Sequence, residues 1–335
     1  MQMAIRINPR FLVVSAGVFA FAAGVLSRSD AEEFALGTPG PVPYPANNPY
    51  SKVKADLGKQ LFRDGRLSNS GATPCTWCHD PNRGYGDGRT ISIGDTKEAL
   101  SRHSPSLYNV GYATHLFWDG RSTTLEEQAL FPIKHPKEMA MDLDKLPAKL
   151  VKAGYETQFE KAFGTKEITV ERVAMALATF ERTITQNNTP YDHWLKGEKS
   201  AMSKDAIAGL EIFKGKAGCV TCHAGPNFTL AMTKTGVPYK NTGVYQSPVL
   251  DPDPGRLAIE KTNPELKDAF KIPTLRGVGR SEPFMHNGDI PTLEDVVEFY
   301  NRGGDNGKLK KLNLTDIEKR QLVEFLRNGI TNQDE

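Results

Sequence analysis

Two copies of one short motif constrain this chain more than any other feature of its sequence. The first copy is CTWCH at residues 75–79, and the second is CVTCH at residues 219–223. In such a C-x-x-C-H motif, the two thiols lie about one helical turn apart and can add to the vinyl groups of one porphyrin, while the adjoining histidine is placed to bind its iron. The pattern therefore predicts two haem-binding segments.

Other chemistry is compatible with an isolated motif of this kind, such as a thioredoxin-type redox pair or half of a zinc site. Here the two motifs contain all four cysteines of the chain, which also leaves none for disulfides. We therefore predict two covalently bound haem c groups. The residues that would bind them, with a histidine as iron ligand in each set, are Cys75, Cys78, His79, Cys219, Cys222 and His223.

The N-terminus resembles an export signal. Arg6 and Arg10 precede an apolar run over residues 11–26, and small residues follow at 29–31. We predict a cleaved signal peptide over residues 1–31 and a periplasmic protein with no membrane span in the mature chain. The alternative is an uncleaved anchor, but the apolar run is shorter than the roughly 20 residues that a span needs.

Charge argues against nucleic-acid binding. The whole chain has 42 basic and 40 acidic residues, and these balance once residues 1–31, with three arginines and one aspartate, are removed. A mature chain without net charge lacks the basic surface that nucleic acids require.

The sequence before each motif is repeated, which predicts two similar lobes. Residues 58–63 (GKQLFR) lead into the first motif, and residues 209–214 (GLEIFK) lead into the second. We predict a mainly α fold with few or no strands, made of two cytochrome c-like domains over residues 32–190 and 191–335. Residues 234–280 are rich in Pro, Gly and Asn and are expected to form a long ordered loop.

Helix signals support this assignment. Val170, Val173, Leu177 and Phe180 form a helical apolar stripe. Thr124 with Glu127 and Thr315 with Glu318 predict capping boxes, and Gly329 predicts a helix stop; no alternating series of strands is present.

The ligand on the second face of each iron cannot be chosen from the residues alone. An electron-carrying haem needs a second strong ligand, whereas a catalytic haem leaves that position open. For each remaining histidine, a surface or hydrogen-bonding role is the alternative to ligation, and for each methionine it is core packing. The candidates are His103, His115, His135, His193, His286, Met139, Met141, Met232 and Met285.

Several longer runs resemble one known family. LGKQLFRDGRLSNSGATPCTWCHDP, SRHSPSLYNVGY, FWDGR, HPKEMAM, FKIPTLRGVGRSEPFMHNG and TLEDVVEFYN are similar to segments of the bacterial dihaem cytochrome c peroxidase and MauG superfamily, in the same order. The resemblance extends over nearly the whole mature chain. It implies a peroxide-dependent dihaem oxidoreductase.

The resemblance also implies the second ligand of the second iron. In the peroxidase branch, a methionine follows the F-x-H-x-G element by fourteen residues; here that position, counted from His286, is Tyr300. A tyrosine ligand is the mark of the MauG-like and MbnH-like branch. No histidine lies between His79 and His103, so the family's displaceable histidine is missing and the first haem is expected to react with peroxide without prior reduction.

Four further residues take roles by resemblance. Glu138 in HPKEMAM would be the acid/base above the first haem, and Gln128 and Pro132 would shape its pocket. Trp118 in FWDGR would relay charge between the haems. Surface or core roles are the alternatives for Glu138 and Trp118.

Calcium is a further expectation from the family. The backbone carbonyls of Ser281 and Pro283 match positions that hold calcium between the lobes, but His103 replaces the family's asparagine. Imidazole suits a hard cation poorly, so the resemblance supports calcium here only in part.

The expected reaction follows from Tyr300. A phenolate ligand favours highly oxidised iron, so hydrogen peroxide would generate a bis-Fe(IV) state that oxidises tryptophan on a periplasmic partner protein. The product would be kynurenine, as in MbnH, or tryptophan tryptophylquinone, as in MauG. Ala217 replaces a surface tryptophan of MauG two residues before the second motif, which favours the MbnH-like outcome.

Two other functions stay open. One is a peroxidase that reduces hydrogen peroxide with electrons from a small cytochrome or copper protein. The other is a dihaem electron carrier without a catalytic site, which would have two six-coordinate haems.

Overall fold

A computed structural model describes residues 34–244 and 252–333 of the chain. The predicted signal peptide and residues 245–251 of the predicted long loop lie outside the described residues. Helices dominate, as predicted, and those of the described residues are α1 (Lys52–Phe62), α2 (Leu125–Lys134), α3 (Leu146–Lys152), α4 (Glu156–Phe163), α5 (Val170–Glu181), α6 (Pro190–Leu195), α7 (Lys204–Lys214), α8 (Leu293–Asn301) and α9 (Asp316–Glu324).

Strands contribute little to the described part of the chain. Strand β1 (Tyr239–Lys240) pairs antiparallel with β2 (Phe270–Lys271), so that Tyr239 faces Lys271 across the ladder. Short 3-10 turns and ordered loops occupy most of the remaining chain. None of the helices within 34–244 and 252–333 is long and apolar enough to cross a bilayer.

The repeated sequence before each motif forms the same helix crossing twice. Gly58 of α1 lies against the carbonyl of Ala176 in α5, with Phe180 Cβ 2.8 Å from where a Gly58 Cβ would be. Gly209 of α7 lies in the same way against the carbonyl of Gln321 in α9. In both places only a glycine lets the two backbones approach this closely.

Apolar side chains gather in two large clusters, one in each half of the chain. The first runs from Leu57 to Ile184 and includes α1 and α5. The second runs from Tyr191 to Ile330 and includes α7 and α9. The domain boundary at residue 190 remains a prediction, and the end of one cluster and the start of the next lie on either side of it.

A buried ion pair joins distant segments of the chain. The side chains of Arg276 and Asp192 are fully buried, and Arg276 Nη1 lies 2.8 Å from Asp192 Oδ2. Arg276 also donates to the carbonyls of Gly37, Gln186 and Pro226. One guanidinium therefore ties together the N-terminal segment, the connection between the two halves and the loop after the second motif.

The helix signals are confirmed with one exception. The Thr315–Glu318 capping box forms completely, and α5 covers the predicted apolar stripe. At Thr124 only half of the predicted box exists, because the Glu127 carboxylate binds the Ser122 hydroxyl at 2.6 Å instead of returning to the Thr124 backbone N–H. Gly329 ends a π-helical turn that continues from α9.

Candidate haem sites and the junction between them

The two C-x-x-C-H motifs adopt one backbone geometry. Each begins with a 3-10 turn, Cys75–Trp77 in the first and Cys219–Thr221 in the second. In both, the backbone N–H of the histidine donates to the backbone carbonyl of the first cysteine at 2.9 Å, and the backbone N–H of the second cysteine donates to the same carbonyl at 3.2 Å. The two motifs are therefore built on the same backbone turn.

Both motif histidines have the tautomer that binds iron. His79 Nδ1 lies 2.9 Å from the carbonyl of Tyr85, and His223 Nδ1 lies 2.9 Å from that of Phe228. A carbonyl only accepts, so Nδ1 carries the proton and Nε2 keeps its lone pair for a metal. Burial lowers the pKa of both imidazoles, that of His223 to about 4, which keeps the rings neutral.

The four cysteines are free thiols. Burial raises the pKa of Cys78 to about 11 and that of Cys219 to about 12, so these two side chains favour the neutral thiol, which can form a thioether with a vinyl group, over the thiolate that binds a metal. Each motif thus combines two thiols with a neutral, oriented imidazole. This donor set fits haem c at both places.

Tyr300 faces the second motif. It lies near the end of α8, and burial, followed by the proximity of Cys219 and Cys222, raises the pKa of its phenol. The nearby Thr242 side chain opposes that shift of the phenol pKa. The phenol oxygen is therefore close to the haem-attachment thiols of the second motif, on an element distant from His223 in sequence.

Glu138 faces the first motif. Its charge raises the pKa of Cys78, which places the carboxylate near that thiol. Burial raises the pKa of Glu138 itself, while the charges of His135 and Arg121 oppose the shift. His135 Nδ1 lies 3.6 Å from Glu138 Oε1. A partly buried carboxyl with a raised pKa beside a reactive centre can accept a proton and return it.

The loop that carries Glu138 is supported by α2. The carbonyl of Pro132 accepts from Met139 N–H at 3.0 Å, and the carbonyl of Ile133 accepts from Met141 N–H at 2.8 Å. Gln128 lies one turn before Pro132 on the same helix, and both side chains are half-buried. The structure thus places Pro132 next to the Glu138 loop and Gln128 on the same side of α2.

Trp118 lies between segments of the two halves. Its indole N–H donates to the carbonyl of His103 at 2.8 Å, and its own carbonyl accepts from Lys271 N–H at 2.7 Å. His103 N–H in turn donates to the carbonyl of His286 at 2.8 Å. The ring and backbone of Trp118 are therefore fixed by hydrogen bonds to elements on both sides.

Ion pairs also stabilise the contact between the two halves of the chain at Trp118, which we call the junction. Arg102 binds Asp119 at 2.7 Å and Asp253 at 2.6 Å. Arg256 donates to the carbonyls of Asp119 and Gly120 at 3.0 Å. Asp119 directly follows Trp118, so these contacts hold the FWDGR segment against the second half of the chain.

The predicted calcium position is untested. Ser281 follows a 3-10 turn at Val278–Arg280, and Pro283 follows a cis peptide bond. His103 Nδ1 is 2.8 Å from the carbonyl of Arg89, so this ring nitrogen is occupied by the protein itself. Calcium at the carbonyls of Ser281 and Pro283 remains a prediction.

Two residues near these sites were not predicted from the sequence. Thr242 lies near the Tyr300 phenol, on a loop without a recognisable motif. Burial lowers the pKa of Lys271 to about 8. His286 was one of the candidate iron ligands, and its buried imidazole stacks on Phe270, with ring centroids 3.6 Å apart.

Most other candidate iron ligands have protein contacts. Met139 and Met141 belong to the first apolar cluster. His193 binds Glu198 at 3.0 Å, and His115 packs edge-on against Tyr239. These are the hydrogen-bonding and packing roles that the sequence had left open as alternatives.

Comparison with known proteins gives a consistent result. A family model for di-haem cytochrome c peroxidase matches residues 52–200. Methylamine utilization protein MauG of Methylophilus methylotrophus is 36% identical over 299 residues, covering 87% of this chain and 86% of that protein. Cytochrome c551 peroxidase of Nitrosomonas europaea is 34% identical over 319 residues, covering 94% and 89%. The solved structure of a MauG-like protein associated with microbial copper homeostasis matches with a TM-score of 0.80 and 30% identity, over 88% of this chain and 94% of that one.

Proposed function

This chain belongs to the family of di-haem cytochrome c peroxidases and MauG proteins, and within that family we propose that it uses hydrogen peroxide to oxidise a tryptophan on a partner protein. Membership makes it a dihaem c-type oxidoreductase. The choice of substrate is the proposal.

The observation that carries the proposal is the position of Tyr300. Its phenol lies near Cys219 and Cys222, where it would hold the iron of the second haem together with His223. An anionic oxygen ligand stabilises oxidised iron more than a methionine thioether does. A site with this ligand suits a protein that stores oxidising equivalents for a distant substrate better than one that collects electrons.

When bound, the haems supply the redox chemistry that peroxide and a remote tryptophan require. The protein holds them through the thiols of each motif and through His79 and His223. Glu138 takes a proton from one peroxide oxygen and returns it to the other, so that the departing oxygen leaves as water. Gln128 and Pro132 shape this pocket.

Trp118 provides the connection between the two sites. Its ring is fixed by the bond to the His103 carbonyl, at the contact between the two halves of the chain. An indole held rigidly in this place supports electron transfer from the second site to the first.

Export to the periplasm and the nature of the product are also proposals. The apolar N-terminal run supports export. At the place where MauG has a surface tryptophan, Ala217 is 8% exposed, so no aromatic ring reaches solvent there. This favours conversion of tryptophan to kynurenine, as in MbnH, over formation of tryptophan tryptophylquinone.

The second candidate function is reduction of hydrogen peroxide with electrons from a small cytochrome or copper protein. The similarity to cytochrome c551 peroxidase over 94% of this chain favours it. That activity needs a soluble electron donor and leaves no modified protein.

The test uses two buried tyrosines of the second half. Tyr300→Phe removes the proposed ligand oxygen, whereas Tyr191→Phe removes a phenol oxygen from the second apolar cluster. The holoprotein is incubated with peroxide and with exported proteins that contain tryptophan. The masses of the exported proteins are then measured by mass spectrometry. We expect wild type and Tyr191→Phe to modify tryptophan in a partner and Tyr300→Phe to fail. Equal modification by Tyr300→Phe, or steady turnover with a small cytochrome and no modified protein, would refute the proposal.

A further inference from the structure

An exposed aromatic ring lies inside the first haem-binding motif. Trp77 is 39% exposed, although it stands between Cys75 and Cys78, and neighbouring Ile93 is 38% exposed. The Trp77 indole N–H donates to the carbonyl of Ile93 at 2.7 Å. We call the surface formed by Trp77, Arg89, Ile93 and Lys97 the Trp77 patch. Among the described residues, no other large exposed hydrophobic side chain lies as near in sequence to the first motif as Trp77 and Ile93.

Two cations lie over the Trp77 ring. The Arg89 guanidinium carbon is 4.8 Å from the ring centroid, and Lys97 Nζ is 5.4 Å from it. Among the described residues Arg89 is paired with one acid, Asp87, at 4.0 Å, and the Asp87 side chain is 1% exposed. Lys97 has no ion pair among them: of the two acids beside it, Glu98 pairs with Lys137 at 3.4 Å and Asp95 accepts from the hydroxyls of Ser70 and Thr73. The patch therefore presents an aromatic anchor with two cations over its ring, a combination enriched at protein–protein interfaces.

The patch is connected to the first catalytic pocket. Asp95, between Ile93 and Lys97, donates its backbone N–H to the carbonyl of Glu138 at 2.6 Å. Gly94 packs so closely on the backbone of Lys137 that a Cβ would overlap its carbonyl. A protein bound at this patch would lie over the motif that holds the first haem and beside the loop that carries Glu138.

The two cations over the ring affect whether Trp77 can bind a partner or carry charge. They are attracted to a neutral indole, but they would repel the positive charge of an oxidised one. The arrangement suits a ring that binds a partner and disfavours a ring that carries the oxidising equivalent itself.

We propose that the Trp77 patch is the docking surface for an acidic region of the partner protein whose tryptophan is oxidised. This inference rests on the proposed function for the fate of the partner, but the binding step does not require it. The two cations select a partner with acidic residues around its exposed tryptophan, and docking here brings that tryptophan close to the first haem site.

The test uses two synthetic peptides that share one central tryptophan, one flanked by glutamates and the other by lysines. Binding of each labelled peptide to the holoprotein is measured by fluorescence anisotropy without peroxide. We expect the acidic peptide to bind at least tenfold more tightly in low salt, with the difference lost in high salt. Equal binding of the two peptides would overturn the proposal.

Matched variants locate the binding surface. Lys97→Glu reverses one cation of the patch, and Lys199→Glu makes the same change at another lysine placed over a tryptophan, 4.2 Å from the Trp194 ring. We expect Lys97→Glu to weaken acidic-peptide binding at least tenfold and Lys199→Glu to leave it within twofold. Equal losses in the two variants would contradict docking at the patch.

Substitutions of Trp77 separate binding from redox transfer. Trp77→Ala should weaken binding about tenfold or more, whereas Trp77→Phe keeps an aromatic anchor and should keep most of the affinity. Addition of peroxide then tests turnover of the bound acidic peptide. Unchanged turnover in Trp77→Phe supports a docking role, and loss of turnover with intact binding would make Trp77 a redox relay and overturn it. Patch-dependent binding without any oxidation would refute the proposed function and leave docking in place.

Discussion

Gly58 and Ala176 touch through their backbones, and this contact sets the crossing of α1 and α5 beneath the first motif. A Cβ at position 58 would overlap the Ala176 carbonyl oxygen. Gly209 and Gln321 repeat the contact beneath the second motif. The two motifs are thus supported by the same helix pair, built twice.

We predict that Gly58→Ala and Gly209→Ala each destabilise the protein by roughly 1–3 kcal/mol or more, because the methyl group forces the helices apart. Alanine is otherwise the better helix residue by about 1 kcal/mol, so a loss of stability must come from the clash. Thermal unfolding of the holoprotein measures it. Gly40→Ala is the control, since no atom lies within 4 Å of a Cβ there; a stable Gly58→Ala protein would contradict the described crossing.

The reaction with peroxide should depend on the Glu138 carboxylate. Burial raises its pKa, so the active basic form is lost as the pH falls through that raised value, and the rate should rise with pH and then level off. Glu138→Gln should slow the reaction about 10²–10⁴-fold and abolish the pH dependence, as measured by stopped-flow spectroscopy.

Substitution of His135 provides a second test of the role of the Glu138 carboxyl. The electrostatic interaction with His135 lowers the pKa of the Glu138 carboxyl and so opposes the effect of burial. In His135→Gln this contribution is lost, so the rising limb of the pH–rate profile should move to higher pH. A shift to lower pH, or no shift, would show that His135 does not act on the group that controls the rate.

Trp118→Phe should separate peroxide consumption from oxidation of the partner. Phenylalanine keeps a ring but is harder to oxidise and cannot donate to the His103 carbonyl. We expect the first reaction with peroxide to keep its rate and the oxidation of partner tryptophan to fall at least tenfold. Trp194→Phe, on a short helix of the second half, is the matched control. Equal rates in the Trp118→Phe and wild-type proteins would exclude Trp118 from the route.

The Arg276–Asp192 ion pair should be essential for stability. Asp192→Asn leaves a fully buried guanidinium without its counter-charge, which costs about 3–5 kcal/mol. The exposed pair Lys52–Asp56 lies 2.7 Å apart on α1, and Lys52→Ala should leave the stability nearly unchanged because solvent screens the pair. Chemical denaturation of both variants tests the difference; equal effects would contradict the burial of Arg276.

The helical class and the two haem motifs could be predicted from the sequence because both are local patterns. The repeated glycines were visible as a repeat, although their close backbone contact depends on helices more than a hundred residues away in sequence. The half-formed capping box at Thr124 shows the limit of a local rule, since Ser122 competes for the same carboxylate.

The surroundings of the candidate site depended on the fold. The resemblance pointed to Tyr300 and Glu138, and the structure places each beside the motif that it was expected to serve. Thr242 and Lys271 could not be found in advance, because a hydroxyl in a loop and one lysine among many become distinctive only when the fold buries them. The roles of Tyr300, Glu138, Gln128, Pro132 and Trp118 remain predictions from family resemblance.

The hydrogen bond from Trp118 to the His103 carbonyl also determines what can accompany an electron through the junction. A peptide carbonyl is too weak a base to take the indole proton, and among residues 34–244 and 252–333 no carboxylate accepts from this N–H. An electron that leaves Trp118 therefore leaves alone, and the proton stays on the ring until the electron is replaced. Transfer through this residue should accordingly proceed at the same rate in heavy water, while the steps governed by Glu138 become slower.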